Sequence, residues 1–127
     1  MKLLLDTNAL LWWFDDNPKL GRRARALIAN SDSELMTSIV SLWEVSVKHR
    51  VGKMKANAAE IGRCLPSEGI ALVPIKIAHL VALEALPSHH KDPFDHLILA
   101  QAKVEGAKIV TSDRAMADYG IACVSTS

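Results

Sequence analysis

Short apolar runs alternate with amphipathic stretches along this chain, and that alternation predicts strands separated by helices. Lys2 to Leu5 is a brief apolar run of strand length, suited to burial on both faces. After a turn at Asp6-Thr7-Asn8, residues Leu10 to Phe14 continue as an apolar helix. Asn17-Pro18 breaks the pattern, and Leu20 to Ala29 reads as a helix carrying Arg22, Arg23 and Arg25. Glu34 to Thr37 fits a second strand. Ser38 suits the N-cap of a helix running to about Arg50, with Gly52 just past its end. Ala56 to Leu65 is helical until Pro66. Ile70 to Ile75 reads as a third strand, and Pro74, which has no N–H to donate, places it at a sheet edge or strand end. Ala78 to Leu86 is helical up to Pro87. Asp92-Pro93 opens another helix, a capping acid followed by a first-turn proline, and this helix runs to about Glu105 before Gly106. Lys108 to Thr111 is a fourth strand, Ala115 to Tyr119 a short helix and Ile121 to Val124 a fifth strand. The sum is an α/β fold with a central, mostly parallel five-strand sheet flanked by helices.

No repeat, low-complexity tract or linker divides the 127 residues, so they read as a single domain, 1–127. Half of the residues are hydrophobic, which fits a doubly covered sheet, an apolar oligomer interface, or both. The net charge of +1 gives no global signature of nucleic-acid binding, so any such binding needs a local patch. Cys64 and Cys123 form no CxxC pair and read as reduced core thiols. Asp6 and Asn8 interrupt the first apolar run too early for a signal peptide. No apolar segment approaches the roughly 18 residues that a membrane span needs, and a cytoplasmic protein is expected.

Candidate chemistry lies in the acids. In open parallel sheets, ligands bind outside the carboxyl ends of the strands, where Asp6 and Asp113 fall. Either could instead be an ordinary turn or helix-capping residue. In the helix after Ser38, the stripe Val40, Trp43, Val47 and Val51 would enclose Glu44, and a carboxylate there is costly unless paired or metal-bound. The bland alternative is a helix apolar nearly all round, with Leu42 and Val45 facing the core and Glu44 solvated or paired with Lys48 one turn on. Asp95 heads the apolar stripe of Ile98, Leu99 and Ala102, whereas Asp92 is the helix cap and reads as structural. Converging carboxylates repel one another unless a cation is present, and hard oxygen donors suit Mg²⁺ or Mn²⁺. Such a site activates water and stabilises charge on a phosphodiester. Lys91 and Arg114 flank these acids as candidates for holding a phosphate backbone. The histidines, His96 included, show no metal-ligand spacing.

Four segments together resemble the PIN domain and, within it, the VapC-type toxins of toxin–antitoxin pairs. They are LLLDTNALLWW at the start, TSIVSLWEVSVKHRVGK around Glu44, DPFDHLILAQA around Asp95 and IVTSDRAM around Asp113. The resemblance implies a three-layer sandwich with a parallel five-strand sheet, and Mg²⁺- or Mn²⁺-dependent cleavage of RNA. It assigns catalysis and metal binding to Asp6, Glu44, Asp95 and Asp113, and a supporting role to Thr7, Asn8 and Thr111. It also implies a homodimer silenced by a cognate antitoxin, with DNA reached only through that antitoxin.

Rival readings remain. A haloacid-dehalogenase-type phosphatase would use Asp6 as nucleophile, but it wants a second Asp where Asn8 stands. A non-catalytic RNA- or partner-binding module would use the acids only as helix caps. A PIN nuclease of RNA maturation or decay would carry the same acids without being a toxin.

Overall fold

The computed structural model describes residues 1–87 and 92–127, the side chain of Arg114 excepted. Five strands, β1 (Lys2–Leu5), β2 (Glu34–Ser38), β3 (Ile70–Val73), β4 (Lys108–Thr111) and β5 (Cys123–Ser125), form one sheet in the order β3-β2-β1-β4-β5. Every neighbouring pair is parallel. The expected α/β architecture is therefore present, with a sheet parallel throughout its described strands. β3 lies at an edge and stops at Val73, directly before the proline that cannot extend the ladder.

The central strand β1 sets the layering, because alternate side chains of a strand point to opposite faces. Leu3 and Leu5 pack with residues from α1 (Thr7–Phe14), α2 (Arg22–Ala29), α3 (Ile39–Arg50) and α4 (Ala58–Cys64), among them Leu10, Ile28, Val45 and Ile61. Leu4 points the other way, toward Ile98, Leu99 and Ala102 of α6 (Pro93–Glu105), with Leu83 of α5 (Ile77–Glu84) at the margin. All three leucines are fully buried, as a strand covered on both faces requires.

Several element ends differ from expectation. α1 begins at Thr7 rather than Leu10, because Asp6 caps it and the expected turn becomes its first turn. α2 begins only at Arg22, capped by Gly21. The short helix before the last strand is a 3₁₀ stretch, Arg114–Tyr119. The cysteines are free thiols but neither is a core residue: Cys64 is exposed, on the last position of α4, and Cys123 is half-buried on the edge strand β5.

Candidate active site

After β1 the chain moves outward through β2 to β3, whereas β4 and β5 lie on the opposite side of β1. The connections thus leave an open crevice above the carboxyl ends of β1 and β4. Asp6 directly follows β1, and Asp113 follows β4 by two residues. Ser38 ends β2 and accepts a hydrogen bond from the Val40 amide, which starts α3 and carries Glu44 into the crevice. The first turn of α6 brings Asp92 and Asp95.

A cleft of about 170 Å³ results, lined by Asp6, Thr7, Asn8, Glu44, Lys48, Asp92, Asp95, Ser112 and Asp113. The four acids singled out in the sequence face one space, joined by Asp92, which had been read as structural. Among the described residues, no three His, Cys, Asp or Glu side chains are grouped tightly enough to hold a metal ion as they stand. The carboxylates line the cleft without closing round one point.

Capping and convergence coexist here. Asp6 Oδ1 accepts from the Ala9 amide at 2.8 Å, Asp92 Oδ1 from the Phe94 and Asp95 amides at 2.9 and 3.2 Å, and Asp113 Oδ1 from the Ala115 amide at 2.9 Å. Thr111 stands between two of these residues: its Oγ1 accepts from the Asp113 amide at 3.0 Å, and its side chain lowers the Asp6 carboxyl against the effect of burial. The helix caps fix the acids at the rim of the crevice, so the structural duty positions them.

Glu44 is buried, but the stripe expected to enclose it is buried only in part: Val40 is fully buried and Val47 half-buried, whereas Trp43 is 51% exposed and Val51 56%. Leu42 and Val45 pack inward. The alternative orientation of α3 is the one found, and its i+4 partner is there too: Lys48 Nζ lies 2.6 Å from Glu44 Oε2. The Thr7 hydroxyl donates to Glu44 Oε1 at 2.7 Å, with Ser41 Oγ 3.0 Å from the same hydroxyl. Trp43 instead packs edge-on against Phe94, ring centroids 4.7 Å apart, and so fastens the neighbour of Glu44 to the neighbour of Asp95.

Electrostatics reflect the crowding. Burial, countered by the Ala9 and Thr111 hydrogen bonds and reinforced by Glu44 and Asp113, pushes the Asp6 carboxyl up to about 6. Asp95 is pushed up to about 7, first by burial and then by the charges of Asp92, Asp6, Glu44 and Asp113. Every other acid of the cleft thus acts on Asp95. The donor set is oxygen throughout and carries more negative charge than Lys48 offsets, which fits a hard divalent cation of the Mg²⁺ or Mn²⁺ class better than zinc.

Of the remaining predicted residues, Thr7 and Thr111 touch the acids and Asn8 lines the cleft. Lys91 lies outside the described residues, as does the side chain of Arg114. Sequence reasoning left two lining residues out of the site, Asp92 and Ser112, and named Lys48 only as the ion-pair partner of Glu44. The signal for Asp92 was its place at the N-cap, whose side chain turns back toward the same first turn that carries Asp95. His96 is engaged with the Tyr119 hydroxyl at 3.0 Å. The fully buried His79 binds the Lys76 amide and Glu105 and ties α5 to α6.

The PIN domain family model matches residues 3–122. None of the curated proteins matches the chain. Among solved structures, a chain of VapBC2 from Rickettsia felis, bound to a DNA fragment of its promoter, is 17% identical with a TM-score of 0.76, covering 98% of each chain. A chain of DNA-bound VapBC from Salmonella typhimurium is 17% identical with a TM-score of 0.71, over 100% of this chain and 99% of that one. One from FitAcB of Neisseria gonorrhoeae is 16% identical with a TM-score of 0.68, over 98% and 97%. At such identities the likeness is one of fold.

Proposed function

This chain belongs to the PIN domain family, and on that premise we propose that it is a Mg²⁺- or Mn²⁺-dependent ribonuclease serving as the toxin of a toxin–antitoxin pair. The observation that carries the reading is the acidic cleft at the strand ends, with Asp95 raised by burial and then by all four of its acidic neighbours. In this reading Asp6, Glu44, Asp95 and Asp113 hold the metal, which supplies water activation and charge neutralisation at the phosphate. Thr7 keeps the Glu44 carboxylate aimed into the cleft, and Thr111 spaces Asp6 from Asp113. Asp92 raises the negative field and so strengthens cation binding. Lys48, paired with Glu44 at 2.6 Å and partly exposed, is the cation among the cleft's described residues that would contact an RNA phosphate.

The toxin role draws on the DNA-bound VapBC structures and on a toxin–antitoxin complex from Klebsiella pneumoniae, whose partners come to this chain only by analogy of fold. In the proposal, a cognate antitoxin covers the cleft, DNA is engaged only through that antitoxin, and the protein works in the cytoplasm. No helix among the described residues is long and apolar enough to cross a membrane. Exposed Leu72 on the β3 edge, Ile75 in the connection after it, and Ile77, Leu80 and Val81 on α5 offer apolar surface for a second copy and support a homodimer.

The test is RNA cleavage by the parent and by Asp95→Asn, in Mg²⁺, Mn²⁺ or EDTA. The parent is expected to cut only with a divalent ion, and Asp95→Asn to lose at least about a hundredfold in rate, the scale of electrostatic catalysis. Metal-independent cutting, or an Asp95→Asn protein as active as the parent, overturns the reading.

A further inference from the structure

A second groove, of about 490 Å³, opens directly beside the acidic cleft and shares Ser112 and Asp113 with it. Its volume falls within the roughly 300–1,000 Å³ of small-ligand pockets. Its walls differ from those of the cleft: Trp12 of α1, Lys19, and hydroxyl groups from Thr111, Ser112, Ser125 and Ser127. Resting on the ribonuclease reading, we propose that this groove is a nucleoside subsite of the RNA strand, with a base stacked on Trp12 and the adjoining phosphate held by Lys19.

Trp12 is only partly buried and packs its inner edge against the core cluster of β1. Its ring also walls the groove, so it offers a rigid aromatic surface at little entropic cost. The Lys19 ammonium lies over the Trp12 ring, 5.9 Å from its centroid, so the groove joins an aromatic face to a positive charge that a stacking base displaces toward its own phosphate. That pairing is what a single-stranded nucleic acid asks for: stacking for the base and a cation for its phosphate. The hydroxyls suit a ribose 2′-OH, which can donate and accept. Ser112 and Asp113 make the groove continuous with the cleft. A strand whose phosphate lies over the acids runs into this groove with its next nucleotide, which makes the groove a determinant of cleavage position. An acidic peptide could satisfy Lys19 but would leave the aromatic wall and the hydroxyls without matched partners.

The experiment measures binding of a fluorescein-labelled single-stranded RNA by anisotropy, in EDTA and over a salt series. The variants are Lys19→Ala, Trp12→Phe, Trp12→Ala and, as a charge control, Lys103→Ala on the last turn of α6. Lys19→Ala is expected to weaken binding about fivefold and to lower the logarithmic salt slope by about one. Trp12→Ala should weaken it about tenfold or more, and Trp12→Phe less, since a smaller ring still stacks. Lys103→Ala should leave the salt slope near that of the parent. Trp12→Phe and Lys19→Ala keep the test valid if Trp12→Ala fails to fold. Equal affinities and slopes for Lys19→Ala and Lys103→Ala, with Trp12→Phe like the parent, overturn the subsite while a cutting parent leaves the nuclease intact. A parent that never cuts RNA, yet binds it in a Trp12- and Lys19-dependent way, overturns the nuclease and keeps the subsite.

Discussion

At the scale of single residues, Glu44 and Lys48 carry the tension of the site. Glu44 is buried and accepts from Thr7 and Lys48, while Lys48 itself is partly open to water. The ion pair therefore does two things at once. It compensates a carboxylate that burial would otherwise penalise, and it sets a positive charge where a metal must compete. Lys48→Met separates these effects. In EDTA the variant should lose about 1 kcal/mol of stability, a figure kept small because the lysine is solvent-screened. Its affinity for Mn²⁺ should rise, since the competing charge has gone. Thermal unfolding and calorimetric titration read the two quantities. A variant unchanged in both would mean that the lysine is a bystander.

At the scale of elements, the legible and the illegible divide by physical cause. Caps and breakers are local chemistry, so Ser38, Asp92-Pro93, Pro74 and Gly106 marked the ends of elements from sequence. The acids were legible because an aspartate after a strand or in a first helical turn has few positions to occupy. The face of α3 was not. Its apolar residues surround the axis almost evenly, and only packing against β1 and α4 decides that Leu42 and Val45 turn inward and Trp43 outward. Ser112 was equally hidden, since its value comes from neighbours distant in sequence, whereas Lys48 was legible as the i+4 partner of Glu44.

Gly21 is another such position. A Cβ there would stand 2.5 Å from the Ser127 carbonyl carbon and 3.0 Å from the Thr126 oxygen, both backbone atoms. The glycine amide also donates to that Thr126 oxygen and caps α2. Gly21→Ala should therefore cost about 1–3 kcal/mol, by forcing the last strand's trailing residues away from α2. Denaturant unfolding checks it; an alanine variant as stable as the parent would show that the two segments part without penalty.

At the scale of the whole molecule, the site works against the fold that holds it. Asp6 at about 6 and Asp95 at about 7 keep their protons in the folded protein at pH values where the unfolded chain has lost them. Between about pH 4 and pH 7 the folded state binds more protons, so the stability of the metal-free protein falls as pH rises and levels off above that window. Glu105, held low by His79, acts in the opposite sense, but its contribution is lost only as pH falls below the ordinary carboxylate range. A divalent cation should reverse the acid-cleft penalty. Binding requires the carboxylates deprotonated, so affinity grows as pH rises toward 7, where the metal-free fold is weakest. At pH 7.5, Mn²⁺ at a hundred times its Kd should add about 2.7 kcal/mol of stability. At pH 5 the same concentration should add far less, because protons already occupy the site. Thermal unfolding at both pH values, with Mn²⁺ and with EDTA, measures all four corners. A metal-free Tm that climbs from pH 5 to 7, or a Mn²⁺ shift equal at both, would mean that the acids are not electrostatically coupled to one ion.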